Sequence, residues 1–284
     1  MLQTLVNGLI AGSLLAVPAI GFSAMFSVLA YPNFAIGALA SVGAYAGWLV
    51  NSQWGWPLPA AFAAAFLIAG MVAALAERVA IRPLSQAGAL MMAIASLAIG
   101  LILENLLRFG FGNDLRNFDL PIARDLRIGE LRIGPQQIDN VVIALVTMIL
   151  LWLFLRRTWL GRSMRAVADN PDLARLKGVD PERVALIAVL IGGGLCGVGG
   201  TLIGLDTSIE PLTGPRLVLS VFAAAVLGGL GSIPGAVLGA MLIGLVEELT
   251  VLELAPTYRT ASGFLVILLV LTFRPSGLLG ARRA

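Results

Sequence analysis

The sequence predicts an all-α, polytopic transmembrane bundle of about eight to nine spans, some of them broken or re-entrant. Of the 284 residues, 58% are hydrophobic and 12% are charged, and the mean hydropathy is +0.94. A soluble domain carries about 25% charged residues. Apolar runs recur along the whole chain, several of them near the roughly 20 residues that a helix needs to cross a bilayer. The composition therefore predicts an integral membrane protein.

Two junctions between apolar segments are interrupted by proline and glycine. The first break falls at Tyr31-Pro32, because a residue that precedes proline is driven out of the helical region, and Asn33 is then expected to cap the next helix. The second falls at 232–234. Irregular backbone at membrane depth survives only against protein or water, so the two breaks indicate either a transport path or a pair of tight turns. The apolar segments are 5–30, 34–50, 58–76, 88–107, 139–155, 184–205, 217–231, 235–252 and 257–273.

The basic residues predict which loops face the cytoplasm. Loops 77–88 and 156–183 and the tail from Arg274 hold twelve of the nineteen basic residues, whereas the loops on the other side hold seven, matched by eight acidic residues. The positive-inside rule therefore puts the C-terminus inside and loop 108–139 outside. The pI near 9.6 has this origin and does not indicate nucleic-acid binding. The side of the N-terminus stays open.

Loop 108–139 is long and mixed in charge. Its stretch "LRIGELRIGP" alternates apolar and polar residues, which predicts a small hairpin. The loop is interpreted either as a contact for an external partner or as a solvated lid over the helix ends.

Segment 156–183 is dense in charge between two apolar runs, and its helix signals are specific. A short helix is expected over 162–168, and a second one follows Asn170 and Pro171, an N-cap and a first-turn proline. Gly178 is expected to end it in a left-handed conformation, and Asp180 starts the next span. Ala166 and Ala174 are predicted to leave small faces for another protein. The alternatives are a solvated loop and a surface that transmits a push from a cytoplasmic motor.

Ionisable and polar groups within the apolar segments are the candidates for a path. Glu104 is expected to pair with Arg108 one turn later, and Glu247 and Glu248 lie near a helix end; all are costly in a membrane unless paired, interfacial or functional. Most of the closely spaced glycines are interpreted as helix packing, and 228–235 as a hinge or gate. The chain has no His and a single Cys, so His-dependent catalytic sites and clustered-Cys metal sites are excluded. Other polar candidates are Asn7, Ser23, Asn33, Ser96 and Thr201.

Four stretches in order resemble the LivH-like permeases, the membrane subunits of branched-chain amino acid ABC importers. The charged segment resembles their cytoplasmic coupling segment through Gly161-Arg162, Arg165-Ala166, Asn170, Ala174 and Gly178-Val179. The other three stretches are "ERVAIRPL" (77–84), "AAAVLGGLGSIPGAVLGAMLIGLVE" (223–247) and "RPSGLLG" (274–280).

The resemblance implies a type II-like ABC importer permease over 1–284, a single transmembrane domain in a prokaryotic inner membrane. It implies a second, homologous permease, two cytoplasmic ATPase subunits and an external substrate-binding protein as partners. The chain lacks a P-loop, so it is expected to be no enzyme and to need no cofactor of its own, with ATP and Mg in the partner subunits. An ion-coupled secondary transporter and an ABC permease for urea or short amides stay open as alternatives.

The resemblance and the residue patterns together give two sets of candidate site residues. Relatives often carry a His and a further polar residue just after "NFA", where this chain has Ile36 and Ala38, so a more apolar cargo is an open alternative. No catalytic residue or metal ligand is expected. The coupling residues are Gly161, Arg162, Arg165, Ala166, Asn170, Pro171, Ala174 and Gly178. The path and gate residues are Asn33, Gly37, Ser96, Glu104, Gly228, Gly229, Gly231, Ser232, Pro234, Gly235 and Glu247.

Overall fold

α-Helices dominate the computed structural model, which describes residues 1–119, 126–128, 131–253, 255–274 and 276–280. Short π-helical turns extend α2 to Gln53 and α3 to Ile81. The helices within these ranges are α1 Leu2–Leu29, α2 Ile36–Trp48, α3 Leu58–Ala76, α4 Ala89–Phe111, α5 Pro135–Arg157, α6 Trp159–Asp169, α7 Pro171–Leu176, α8 Pro181–Asp206, α9 Thr213–Gly228, α10 Ile233–Glu253 and α11 Arg259–Phe273; the strands are β1 Leu126–Ile128 and β2 Leu131–Ile133.

Within the described ranges, six helical stretches are long and apolar enough to cross a membrane. They contain α1, α3, α4, α5, α8 and α10, and α2, α9 and α11 are shorter. Each of the nine apolar segments therefore contains one helix. The prediction of a polytopic helical bundle is confirmed.

The helices run alternately between two faces of the bundle. Gln3 at the start of α1 exchanges two hydrogen bonds with the backbone of Arg132, each 2.9 Å long, so α1 begins beside the β1–β2 hairpin. At its other end, Ser27 lies against Gly231, and Tyr31 bonds Glu77 beyond the end of α3. The nine helices of the apolar segments cross the bundle in turn. Because nine is odd, the start of α1 and the end of α11 lie on opposite faces.

Helices α1–α4 and helices α8–α11 repeat one arrangement in opposite orientation. Helix α3 packs along α8, and α10 packs along α1; α2 lies beside α3 and α4 as α9 lies beside α10 and α11. Because α1 and α8 start from opposite faces, α1–α4 and α8–α11 form an inverted pair, an arrangement common in transporters. Helices α5, α6 and α7 connect the two halves.

Glycines let the central helices approach at backbone distance. A Cβ at Gly43 would collide with the backbone of Gly197, and one at Gly200 with the carbonyl of Ala40. Lipid gives no hydrophobic driving force for helices to associate, so they associate through close packing, which small residues at such crossings allow. The interpretation of most glycines as packing residues agrees with these contacts. By contrast, large apolar side chains of α4 and α5, such as Leu101 and Ile149, point outward.

The predicted hairpin is present: β1 and β2 pair antiparallel, with Arg127 opposite Arg132. Upstream in the same loop, Arg116 forms an isolated bridge with Ile209, with N–O distances of 2.9 and 2.8 Å. The hairpin, this bridge and the segment between α8 and α9 therefore lie on one face, which the basic loops predict to be external and which is called the external face below.

Both breaks exist, with two corrections. Helix α2 begins at Ile36, and Asn33 is not its N-cap: its Oδ1 accepts the N–H of Ala35 at 3.0 Å, which closes a turn before the helix. The second break spans 229–232 rather than 232–234, since Gly229 and Gly231 have positive φ and Pro234 lies in the first turn of α10. Proline is tolerated there because first-turn N–H groups have no helical partner.

Candidate functional site

The segment between α5 and α8, which the sequence predicts to be cytoplasmic, consists of two short helices with hydrogen-bonded starts. Thr158 Oγ1 accepts the N–H of Gly161 at 3.0 Å, Asn170 Oδ1 accepts that of Leu173 at 2.9 Å, and Asp180 Oδ1 accepts that of Glu182 at 3.0 Å. Gly178 has φ +83°, the left-handed conformation that the sequence predicted. The caps at Asn170 and Asp180 confirm the predicted helix starts; α6 begins three residues earlier than predicted because Thr158 caps it.

This segment is fastened to the bundle rather than loosely tethered. The guanidinium of Arg165 donates to the carbonyl of Leu155 at the end of α5, and Gly161 lies directly on the Leu155 backbone. Arg82, beyond α3, pairs with Glu182 at the start of α8. Helix α6 is therefore fastened to α5, and the Arg82–Glu182 pair joins the segment after α3 to the start of α8.

The predicted coupling residues divide into an inner and an outer set. Arg162, Arg165, Ala166, Asn170, Pro171 and Gly178 are exposed. Gly161 is buried, and Ala174 is 4% exposed, so the prediction that Ala174 offers a face to another protein is wrong. Ala174 packs into the core of the bundle, and its carbonyl accepts the Val179 N–H at 3.0 Å, which closes the end of α7.

Three apolar side chains on the outer face were missed by sequence reasoning. Leu173 and Leu176 on α7 are 54% and 83% exposed, and Trp159 on α6 is also exposed. Their signal was present in the sequence, since apolar residues at i and i+3 share one face of a helix. Leu173 and Leu176, on the segment predicted to be cytoplasmic, are called the cytoplasmic apolar patch.

A buried polar pair lies beneath the segment. The Tyr31 hydroxyl donates to Glu77 Oε2 at 2.5 Å, and both side chains are buried. Burial, with the Glu77 carboxylate alongside, raises the pKa of Tyr31 above its ordinary value, so the phenol stays a neutral donor. The pair fixes the first break against the end of α3.

The turn between α9 and α10, called the gate turn (229–232), is held by close backbone contacts. Gly228 and Gly235 face each other without room for a side chain on either, and Ser232 Oγ accepts the Gly235 N–H at 3.2 Å. The tail returns to this turn: the N–H groups of Leu278 and Leu279 donate to the carbonyls of Leu227 and Gly228, both at 2.9 Å. Gly231, Ser232 and Pro234 also line a cavity of about 610 Å³ whose opposite wall is α6.

The starts of α2 and α9 meet inside the bundle. Gly37 and Gly214 pack reciprocally, each with the other's backbone where a Cβ would lie. Ser41 Oγ accepts the Gly214 N–H at 2.9 Å and donates to the Pro211 carbonyl at 3.0 Å. Ser96 Oγ accepts the Phe34 N–H at 2.9 Å. Two helix starts, one from each inverted half, are thus locked together, and three predicted path residues, Asn33, Gly37 and Ser96, lie here.

The two carboxylates predicted as path residues lie elsewhere. Glu104 pairs with Arg108 at 2.6 Å, as the i,i+4 spacing predicted. Glu247 is buried, accepts from Ser220 Oγ at 2.5 Å and from Arg259 Nε at 3.2 Å, and lines a cavity of about 430 Å³ at the external face. The structure therefore places the predicted path residues in four places: the gate turn, the α2–α9 contact, the external cavity and the outer end of α4. Within the described residues, no three His, Cys, Asp or Glu side chains could hold a metal ion.

Comparisons with known proteins agree over nearly the whole chain. Residues 4–273 match the family described as "Branched-chain amino acid transport system / permease component". The high-affinity branched-chain amino acid transport system permease protein LivH of Escherichia coli K12 is 31% identical over 298 aligned residues, covering 98% of this chain and 95% of the relative. BraD of Pseudomonas aeruginosa, described in the same words, is 32% identical over 293 residues, with the same coverage.

One solved structure shares the fold. It is described as PsaBC from Streptococcus pneumoniae in complex with Fab, with a TM-score of 0.52 and 13% identity, covering 96% of this chain and 93% of that one. At this identity the likeness concerns the helical arrangement alone.

Proposed function

This chain belongs to the family of permease components of branched-chain amino acid transport systems, and from that premise we propose that it carries a branched-chain or similar small neutral amino acid inward as the membrane subunit of an ATP-driven importer. The family match over residues 4–273 is the observation that carries the proposal. The hydrolysis of ATP, with its Mg, belongs to partner subunits. An importer of this kind also needs an external substrate-binding protein.

The segment 156–183 is the docking surface for the ATPase subunits in this proposal. The cytoplasmic apolar patch exposes Leu173 and Leu176 beside the basic residues Arg175 and Lys177. Apolar anchors within a charged rim are the usual composition of a protein interface. Because Arg165 bonds to the end of α5, a movement of the docked subunit is transmitted to the membrane helices.

In this proposal the path runs along the two interrupted junctions, the one before α2 and the one between α9 and α10. The locked contact between the starts of α2 and α9 closes it, with Asn33, Gly37 and Ser96 around it. On the cytoplasmic side the gate turn and α6 line the same 610 Å³ cavity, so a movement of α6 changes the space beside Gly231, Ser232 and Pro234. Glu104 and Glu247 lie towards the outer ends of their helices.

The arrangement in the membrane follows from the same proposal. Residues 1–284 form one permease domain of a multi-pass protein of the prokaryotic inner membrane, which pairs with a second, homologous permease. The C-terminus is cytoplasmic, because the basic tail and segment 156–183 lie on one face. Loop 108–139 faces outward, towards the binding protein.

A pull-down tests the docking surface. Solubilised wild-type chain, co-expressed with the ATPase subunits of a branched-chain amino acid importer from the same genome, should bring down ATPase activity. Leu176→Glu puts a charge at an 83% exposed anchor and should weaken this association by about tenfold, or roughly 1.4 kcal/mol. The matched control is Leu115→Glu, the same change at a 66% exposed leucine of the external loop, which should retain the activity.

Two outcomes would count against the proposal in different ways. If the wild-type chain brings down no ATPase while it stays folded, the importer function fails. If Leu176→Glu retains the full activity, α7 is not the docking surface, although the function stands. Uptake of leucine against competing urea or acetamide in proteoliposomes then decides between the amino-acid cargo and the short amides.

A further inference from the structure

The lining of the external cavity combines charged side chains, called the rim below, with apolar ones, called the floor. It lies between α1, the α8–α9 connection, α10 and α11, and has a volume of about 430 Å³. Leu14 on α1 lies twelve residues below Leu2, or about 18 Å along the helix, so the cavity extends well into the membrane part of the bundle. Its volume is within the range of small-ligand sites, about 300–1,000 Å³.

The rim carries three carboxylates and two guanidiniums. Glu210 pairs with Arg216, and Glu247 with Arg259 at 3.2 Å. Asp206, at the end of α8, makes no side-chain hydrogen bond or ion pair with any residue that the structure describes, and it is exposed to the cavity. The lining thus has one negative charge in excess, which attracts a cationic group.

Arg259 is the cation best placed for an anionic group. Glu247, which is buried and also held by Ser220, orients its guanidinium from one side, and Glu248 lies 3.9 Å away on the other. The Arg259 side chain remains 44% exposed and lines the cavity. The first N–H groups of α9 are unavailable, since Ser41 takes that of Gly214 and Glu210 takes that of Thr213.

The floor is apolar. Leu14, Leu15 and Leu217 line it, together with Ala11 and Ile203. An aliphatic group that enters from the rim leaves water for these side chains, which stabilises it by about 25 cal/mol per Å² of apolar surface removed from water.

We propose that the external cavity binds an α-amino acid zwitterion with an aliphatic side chain, with the ammonium group on Asp206, the carboxylate on Arg259 and the side chain on the leucine floor. The inference rests on the proposed function and deepens it, because it gives the permease a receiving site of its own for a substrate released at the external face. Asp206 and Arg259 are binding residues, and Glu247 is a positioning residue that acts through Arg259.

Thermal unfolding of the purified importer complex without its binding protein tests the site. L-Leucine at millimolar concentration should raise the unfolding temperature by about 2 °C or more. 4-Methylpentanoate lacks the ammonium and 3-methylbutylamine lacks the carboxylate, and neither should reproduce the shift. Asp206→Asn should lose the leucine shift, and so should Leu217→Trp, which fills the floor without a change of charge.

The control is Asp139→Asn, the same change at an exposed carboxylate of α5 that does not line the cavity; it should keep the shift. Leucine uptake by the wild-type complex with its binding protein is measured in parallel. If uptake occurs but leucine never shifts the unfolding temperature, or if Asp206→Asn retains the shift, the site is disproved and the proposed function stands. If 4-methylpentanoate stabilises as well as leucine does, the assignment of the ammonium is wrong. Absence of leucine uptake by the wild-type complex would instead remove the proposed function.

Discussion

At the scale of single residues, the contact between Gly37 and Gly214 is the tightest constraint on the path. A methyl group at Gly214 would collide with the Gly37 carbonyl and crowd Ser41 Oγ. Gly214→Ala should therefore destabilise the folded protein by about 1–3 kcal/mol, the usual cost of overpacking. Thermal unfolding in detergent measures the effect.

Gly110→Ala is the matched control, because Gly110 is helical and has open space where its Cβ would lie. This substitution should be neutral or stabilise by up to about 1 kcal/mol, as alanine does in helices. Equal effects of the two substitutions would mean that the α2–α9 contact loosens at little cost, which contradicts its role as the closed point of the path.

Whether a side-chain contact could be predicted depended on how far apart its two residues lie in the sequence. The Glu104–Arg108 pair and the caps at Asn170 and Asp180 were predicted, since both groups lie within four residues of each other. The burial of Ala174 was predicted wrongly, because the orientation of a six-residue helix depends on what it packs against. The bond between Ser220 and Glu247 spans 27 residues, and no local pattern indicates it.

At the scale of secondary-structure elements, α6 owes its start to one side chain. Thr158 Oγ1 accepts the Gly161 N–H at 3.0 Å and donates to the Phe154 carbonyl at 2.7 Å, so it joins the end of α5 to the start of α6. Thr158→Val keeps the shape and removes both bonds; the lost cap costs about 1 kcal/mol. Hydrogen exchange at 159–163 should become faster by about fivefold.

Thr158→Ser is the control, because it restores the hydroxyl and should restore protection. In the importer, Thr158→Val should also lower leucine uptake more than ATP hydrolysis, since a frayed α6 transmits less of the movement of its partner. Unchanged exchange at 159–163 in the valine variant would show that packing alone holds the start of α6.

The broken elements were predictable in kind but not in detail. Proline at 32 and the glycines around 231 indicate the two interruptions, and both exist. The second break lies earlier than predicted because the returning tail engages the last carbonyls of α9 through Leu278 and Leu279. A contact between residues some 50 positions apart left no periodic signal in either segment.

At the scale of the whole molecule, composition was enough for the class and not for the symmetry. Low charge and recurrent apolar runs predicted the bundle. The two predicted breaks do not mark the inverted repeat, because the first precedes α2 and the second follows α9, which is the counterpart of α2. The repeat itself became apparent only from packing, because each half matches the other in neighbours and direction. An inverted repeat requires that its two halves start on opposite faces. After the four crossings of α1–α4 the chain is back on the face where it began, and α5 crosses once more, so α8 starts on the opposite face.

That crossing predicts opposite sides for the two ends of the chain. Nine crossings put the start of α1 and Leu115 on the face opposite to Leu176 and the end of α11, and the distribution of basic loops predicts that the first face is external. The native Cys196 is fully buried, which makes the wild-type chain a nearly unreactive background for a membrane-impermeant maleimide.

Leu115→Cys should be labelled in intact spheroplasts, whereas Leu176→Cys should be labelled only after the membrane is permeabilised. The two positions are 66% and 83% exposed, so a difference in labelling reports the side of the membrane rather than burial in the protein. Labelling of both variants in intact spheroplasts would contradict the nine crossings and, with them, the inverted relation of the two halves.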